Sequence, residues 1–280
     1  YGKPSVFWRE VVPAQGFFSK GRDHCLKTLK FNSRERPIVA QIFGSNPDQF
    51  RDASKIITNL GFDGLDINMG CPDRDIEKQG AGASLIKSPS LARELIRAAK
   101  TAGIPVSVKT RIGYAKNEIS EWISELLKEK PAALTVHFRT RKEKYKGTAH
   151  WELAKEVVTL RDFYSPKTVL LGNGDVQTLK EAKELVKNTR LDGIMIGRAI
   201  VGNPWFFSGK DPVLSEKLEA IIEHAEIFEK LGGHFDVMKK HFHASTKGFR
   251  GAKDLREKLM KVKNVEEARG AITAFNCLVV

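Results

Sequence analysis

The sequence predicts an α/β protein of the (β/α)8 barrel type, with a small helical domain after it. Three observations lead there. Seven short apolar runs recur along the first two hundred residues, helical patterns separate most of them, and the strand pattern stops after Phe207.

The runs are Ser5–Val12, Pro37–Phe43, Gly64–Met69, Pro105–Ile112, Ala133–Phe138, Thr168–Gly172 and Gly193–Ile196. Such continuous runs suit strands of a parallel sheet buried on both faces. Helical stretches lie between most of them. Asp48–Leu60 follows Asn46-Pro47, a cap and a first-turn proline, and ends at Gly61. Ser90–Thr101, Asn117–Lys128, Trp151–Leu160 and Leu179–Lys187 continue the alternation. From Pro37 onward the strand starts lie 27, 41, 28, 35 and 25 residues apart, the spacing of β-loop-α units. A doubly wound sheet would share that spacing, but the barrel is the expectation, with its first strand and helix outside this sequence. Residues 213–276 read as helices only, over 213–231, 235–247, 252–262 and 265–275. The expected division is a barrel domain over 1–210 and a helical domain over 211–280, joined near Ser208-Gly209-Lys210-Asp211-Pro212.

Composition narrows the classes. The apolar fraction of 41% supports a buried core, and no run approaches the length of a membrane span. Cys25, Cys71 and Cys277 are too few and too scattered for a disulfide scaffold or zinc cluster, so a metal-free protein of the reducing cytoplasm is expected. A monomer is the expected state. The formal charge of +13 suits a polyanion binder better than an enzyme of small neutral metabolites. That charge is clustered. Nine Lys/Arg stand between Lys239 and Lys263 against Asp254 and Glu257, and five stand between Phe138 and His150 against Glu143.

In such barrels, chemistry sits at the C-terminal ends of strands. Cys71, in Asp66-Ile67-Asn68-Met69-Gly70-Cys71-Pro72, follows one such end and opens the longest inter-strand segment, a loop able to close over a substrate. It is either a proton donor or a buried core thiol. Lys109 ends an apolar strand and needs an anion, either a ligand or a protein carboxylate. His137 is equally a structural histidine or a functional one. The basic, aromatic loop after it, with Arg139, Arg141 and Tyr145, suits a nucleic-acid contact. Gly172-Asn173-Gly174-Asp175 and Gly197-Arg198 are turns that can present N–H groups to a phosphate. Gln41 either meets a ligand's polar edge or bonds to a neighbour in the barrel.

These segments, with Gln41-Ile42-Phe43-Gly44, Val108-Lys109-Thr110-Arg111-Ile112-Gly113 and Gly202-Asn203-Pro204-Trp205, resemble the tRNA-dihydrouridine synthase family in order and spacing. The resemblance implies an FMN enzyme, recharged by NADPH or NADH, that reduces the C5–C6 bond of uridines in tRNA. It implies that Cys71 is the proton donor, and that Gln41, Lys109, His137, Asn173, Gly174, Asp175, Gly197 and Arg198 contact FMN. Substrate contacts are expected from Asn68, Arg139, Arg141, Lys247, Arg250 and Lys253. Two other classes fit parts of the sequence. One is a flavin barrel acting on a free pyrimidine, in the manner of dihydroorotate dehydrogenases. The other is a non-catalytic RNA-binding protein.

Overall fold

A computed structural model describes residues 1–279, with side chains as far as Asn276, so the side chain of Cys277 lies outside the described residues. Contacts divide the chain into two compact units, Pro4–Ile196 and Gly197 onward joined by Tyr1–Lys3.

The first unit runs β1 Phe7–Trp8, β2 Val12–Pro13, α1 Arg22–Thr28, β3 Ile38–Phe43, α2 Pro47–Asn59, β4 Gly64–Met69, α3 Arg74–Glu77, α4 Pro89–Lys100, β5 Val106–Arg111, α5 Ile119–Lys128, β6 Ala133–His137, α6 Ala154–Tyr164, β7 Val169–Asn173, α7 Leu179–Thr189 and β8 Gly193–Ile194. Every ladder is parallel. The strand expected over Ser5–Val12 is present as two pieces, both paired with β3. Phe7 faces Ile38 and Val12 faces Ile42, which leaves four residues on one side opposite three on the other. The extra residue is a bulge, and it breaks one strand into two short ladders. Helix α1 has no counterpart among the expected elements.

Strand order is sequential from β3 to β8. Sequential parallel strands joined by right-handed crossovers place every helix on the same face of the sheet. That is the winding of a β/α barrel; a doubly wound sheet needs a reversal of order. The order begins at β1 and ends at β8, with no ladder joining the two among the described residues.

Alternation along each strand sorts its side chains to two faces. Ile38, Ala40 and Ile42 of β3, Leu65 and Ile67 of β4, and Val106 and Val108 of β5 belong to one apolar core. They pack with Phe50 and Ile57 of α2, Leu95 of α4 and Trp122 of α5. The opposite face is polar and carries Gln41, Asp66, Asn68, Ser107, Lys109, Arg111, Thr135, His137 and Asn173.

The second unit holds α8 Leu214–Lys230, α9 Met238–Ser245, α10 Ala252–Leu259 and α11 Val265–Val279 around Leu218, Phe242, Leu255, Leu259 and Ile272. It begins earlier than the sequence suggested. Trp205 packs edge-on against Tyr1 at 4.8 Å, and Gly202 lies against the backbone of Ala244 and Ser245. Among the described residues no helix is long and apolar enough to cross a membrane.

The packing makes one prediction. Trp122, 1% exposed, donates from Nε1 to Thr110 Oγ1 at 2.8 Å, and that hydroxyl donates to Met69 O at 3.0 Å. Trp122→Phe removes the donor from a buried position, so it should destabilise the protein by about 1–3 kcal/mol in urea unfolding. An unchanged midpoint would show that this helix-to-sheet bond contributes nothing.

Candidate active site

The parallel register aligns the polar face in rows. Gln41, Asp66 and Ser107 lie side by side, then Asn68, Lys109 and Thr135 one step nearer the C-terminal rim, then Arg111, His137 and Asn173 at the rim itself. Gln41, Asn68, Lys109, His137 and Asn173 are thus brought onto one surface. The sequence reading passed over Asp66, Ser107, Arg111 and Thr135. Polar residues at every second position, as in Asp66-x-Asn68 and Ser107-x-Lys109-x-Arg111, carried that signal.

Cys71 follows β4 on a turn held from both sides. Asn68 Oδ1 accepts from the Gly70 and Cys71 amides at 3.2 and 2.9 Å, and the Cys71 carbonyl accepts from Ala83 N at 2.9 Å. Gly82, at φ +62°, backs onto this carbonyl so closely that a Cβ would lie 2.8 Å from the oxygen. Arg111 Nε donates to Gly70 O at 2.7 Å. The turn that carries the thiol is thus tied to its neighbours on both sides. The thiol itself is half-buried and has no hydrogen-bond partner among the described residues.

Lys109 is half-buried on the same face. Desolvation pushes its pKa down to about 8, against the opposing pull of Asp66. No carboxylate forms a direct ion pair with its ammonium among the described residues, and Asp66 opposes its charge only at longer range. Asp66 is fully buried and accepts from Ser107 Oγ at 2.5 Å and Gln41 Nε2 at 2.7 Å. Burial raises it to about 6, while those two bonds and Lys109 favour the carboxylate.

His137 is 5% exposed, and burial with Arg111, Lys109 and Arg139 nearby drops its pKa to about 2. It is neutral at physiological pH. Arg139 Nη1 lies 3.3 Å from Nε2 and can only donate, so Nε2 accepts and the proton sits on Nδ1. Nδ1–H has no partner among the described residues, and neither has the buried hydroxyl of Thr135.

Asn173 donates from Nδ2 to Met195 O at 2.8 Å, and Gly174 O accepts from Trp151 Nε1 at 3.2 Å. Gly174 has φ +135°, and a Cβ there would lie 2.7 Å from Ala149. Asp175, also at positive φ, accepts from Ala149 N at 2.9 Å and pairs with Arg139. Gly197 and Arg198 are exposed in the second unit, where Arg198 opens a short 3-10 turn.

The expected RNA-facing arginines are placed differently. Arg139 is 1% exposed, its guanidinium taken up by Asp175 and the carbonyls of Lys146 and Gly147. Arg141 forms a forked ion pair with Glu77 of α3. Arg111 adds bonds to Thr140 O and Lys144 O at 3.1 and 2.9 Å. Buried cations need such partners, and these three arginines brace the 139–147 loop from within. Lys142, Lys144, Tyr145 and Lys146 form the exposed part of that loop. In the second unit Lys247, Arg250 and Lys253 are exposed and have no ion-pair partner among the described residues, whereas Lys239 pairs with Asp236 and Arg256 donates to Thr246 O at 2.7 Å.

Comparison with known proteins identifies the family. The sequence profile described as dihydrouridine synthase (Dus) matches residues 1–278. A probable tRNA-dihydrouridine synthase of Staphylococcus epidermidis is 39% identical over 281 residues, covering 98% of this chain and 86% of the relative. The probable tRNA-dihydrouridine synthase 2 of Bacillus subtilis is 39% identical over 282 residues, covering 98% and 87%. Among solved structures, histamine dehydrogenase from Rhizobium sp. 4-9 shares the fold at TM-score 0.54 and 13% identity, over 77% of this chain and 41% of that one. A variant of NCR from Zymomonas mobilis does so at 0.51 and 17%, over 75% and 79%. With a profile spanning nearly every residue and relatives this similar along their length, the chain belongs to the dihydrouridine synthase family.

Proposed function

We propose that this chain is a flavin-dependent tRNA-dihydrouridine synthase, with FMN as its flavin and NADPH or NADH as the source of electrons. One observation carries the reading. Toward the C-terminal ends of three adjacent strands, the Cys71 thiol, the Lys109 ammonium, the His137 Nδ1–H and the Thr135 hydroxyl are polar groups left without a partner among the described residues. A half-buried cation beside a neutral N–H donor fits an electron-rich, anionic ring system. FMN, when bound in its reduced form, supplies the hydride that saturates C6 of uridine. Lys109 and His137 are proposed to hold it, with Gln41 along its polar edge. Asn173, Gly174 and Asp175 form a turn suited to its phosphate end. For Gly197 and Arg198 the same role rests on the sequence pattern alone.

Cys71 completes the reduction by giving its proton to C5 of uridine. A thiol suits this step because it carries a proton that it can transfer to carbon. The fixed turn beneath it keeps the donor in one place. The target base has to leave its stack to reach such a pocket, and contacts to RNA phosphates offset that loss. Exposed Lys142, Lys144 and Lys146, and Lys247, Arg250 and Lys253, are the proposed contacts. A free pyrimidine would have no use for them, and a purely RNA-binding protein would have no use for an unpaired thiol and ammonium on the inner face.

Cys71→Ala should keep its flavin and its flavin-mediated oxidation of NADPH, and lose about 10²–10⁴-fold in single-turnover reduction of transcript tRNA. A variant that reduces tRNA at the parental rate removes Cys71 from the proton-donor role. Lys109 predicts a pH dependence. Its pKa is depressed, so the cation is present below about 8 and lost above it. FMN affinity, read by fluorescence titration of flavin-free protein, should therefore weaken as pH rises through that value. Lys109→Gln should bind more weakly at neutral pH and show no such dependence. Equal pH profiles for the two proteins would refute the assignment.

Changing Lys247, Arg250 and Lys253 together to Gln should weaken tRNA binding and reduce the slope of log affinity against log salt by about 2, at roughly 0.7–0.9 per phosphate contact. Flavin content should not change. Parental affinity and slope would turn attention to Lys142, Lys144 and Lys146.

A further inference from the structure

Four hydrogen bonds across β3 and β4 form a directed row. Gln41 Nε2 donates to Asp66 Oδ2 at 2.7 Å, and Asn68 Nδ2 donates to Gln41 Oε1 at 3.0 Å. Asn68 Oδ1 then accepts from Gly70 N at 3.2 Å and Cys71 N at 2.9 Å. A side-chain amide has nearly the same shape either way round, so its neighbours decide which end points where. Here the two ends of the row are chemically fixed. A carboxylate only accepts, and backbone N–H groups only donate. The amides between them can satisfy both ends in one orientation alone.

We propose that Asp66 is a positioning residue for Cys71, the acceptor that sets the direction of the Gln41–Asn68 row and thereby seats Asn68 on the Gly70 and Cys71 amides. The inference rests on the reading of Cys71 as proton donor. Asp66 has no hydrogen bond of its own to the Cys71 turn among the described residues, and its influence travels through the two amides. Its other oxygen is held by Ser107, so the carboxylate is fixed on both sides. The competing role is that of a counter-charge for Lys109. Among the described residues no ion pair joins the two; the bonds that fix the Asp66 oxygens come from Ser107 and Gln41, and Lys109 acts on the carboxylate through its charge at longer range.

Reversing the row tests this. Asn68→Asp keeps an acceptor for the Gly70 and Cys71 amides but sets two carboxylates competing for the single NH2 of Gln41. Asp66→Asn alone still offers Gln41 an oxygen. In the double variant the new amide at position 66 donates to Gln41 Oε1, and Gln41 donates to the new carboxylate at position 68. Every group is then satisfied with the direction inverted. Flavin-loaded parent, both single variants and the double variant are compared by thermal melting and by single-turnover tRNA reduction. Asn68→Asp should melt lower and react about tenfold or more slowly, because a buried polar group is left unmatched. Asp66→Asn should lose less. The double variant should regain most of the melting temperature lost in Asn68→Asp and react faster than that single variant, a coupling that independent roles would not produce. A double variant that is no better than Asn68→Asp, or that does not fold, overturns the proposal. If the parent itself fails to reduce tRNA, the proposed activity falls, while the melting cycle still decides whether Asp66 directs the row.

Discussion

A parallel strand shows alternate residues to alternate faces, and in this chain that two-residue period puts an unusual load of polar groups inside a covered sheet. Asp66 and Asn68, Ser107, Lys109 and Arg111, and Thr135 and His137 all face the same way, while the residues between them pack against helices. Buried polar groups are expensive unless matched. The rest of the inner face is the solution to that problem. Most groups are paired in sequence across the rows: Ser107 to Asp66, Asp66 to Gln41, Gln41 to Asn68, and Asn68 to the Cys71 turn. The few left over, the Cys71 thiol, Lys109, Thr135 and His137 Nδ1, lie together toward the C-terminal ends of β4, β5 and β6. The same requirement thus builds the scaffold and singles out the groups still open to a ligand.

Arginine does the corresponding work at the rim. Arg111, Arg139 and Arg141 reach Gly70, Thr140, Lys144, Lys146, Gly147, Asp175 and Glu77 among them. The effect is to tie the turn bearing Cys71, the loop after His137 and the turn after β7 into a single braced surface. A guanidinium has five donors in a rigid fork and can satisfy several carbonyls at once, which a lysine cannot. These cations also help keep His137 neutral, since burial and a further positive charge beside Arg111, Lys109 and Arg139 both disfavour protonation. A neutral imidazole with one nitrogen committed to Arg139 has a defined tautomer and a defined donor.

The net charge of +13 accordingly has two parts of different meaning. Arginines near the site are internal ties. The lysines of the 142–146 loop, and Lys247, Arg250 and Lys253 in the helical unit, stand in solvent with their charge uncommitted. Of these two groups, only the second is open to a polyanion. The braced loop offers its lysines and Tyr145 outward because its arginines are turned inward.

The sequence by itself determined the fold class, most element positions and the family. Apolar runs and helical periods are local properties, and Gln41, Asn68, Cys71, Lys109, His137 and Asn173 sit in short motifs at strand ends. It also fixed which residues share a face, since that follows from the two-residue period, although the reading did not extract Asp66, Ser107, Arg111 and Thr135. Tertiary structure decided which polar groups are already satisfied. Arg139 and Lys109 look alike in sequence, each a cation near the end of a strand. Arg139 is enclosed by an aspartate and two carbonyls from loops distant along the chain, and Lys109 meets no such partner among the described residues. The bulge before β3 and the start of the helical unit at Gly197 were hidden for the same reason. Both depend on contacts between segments far apart in the chain, and local composition carries no record of them.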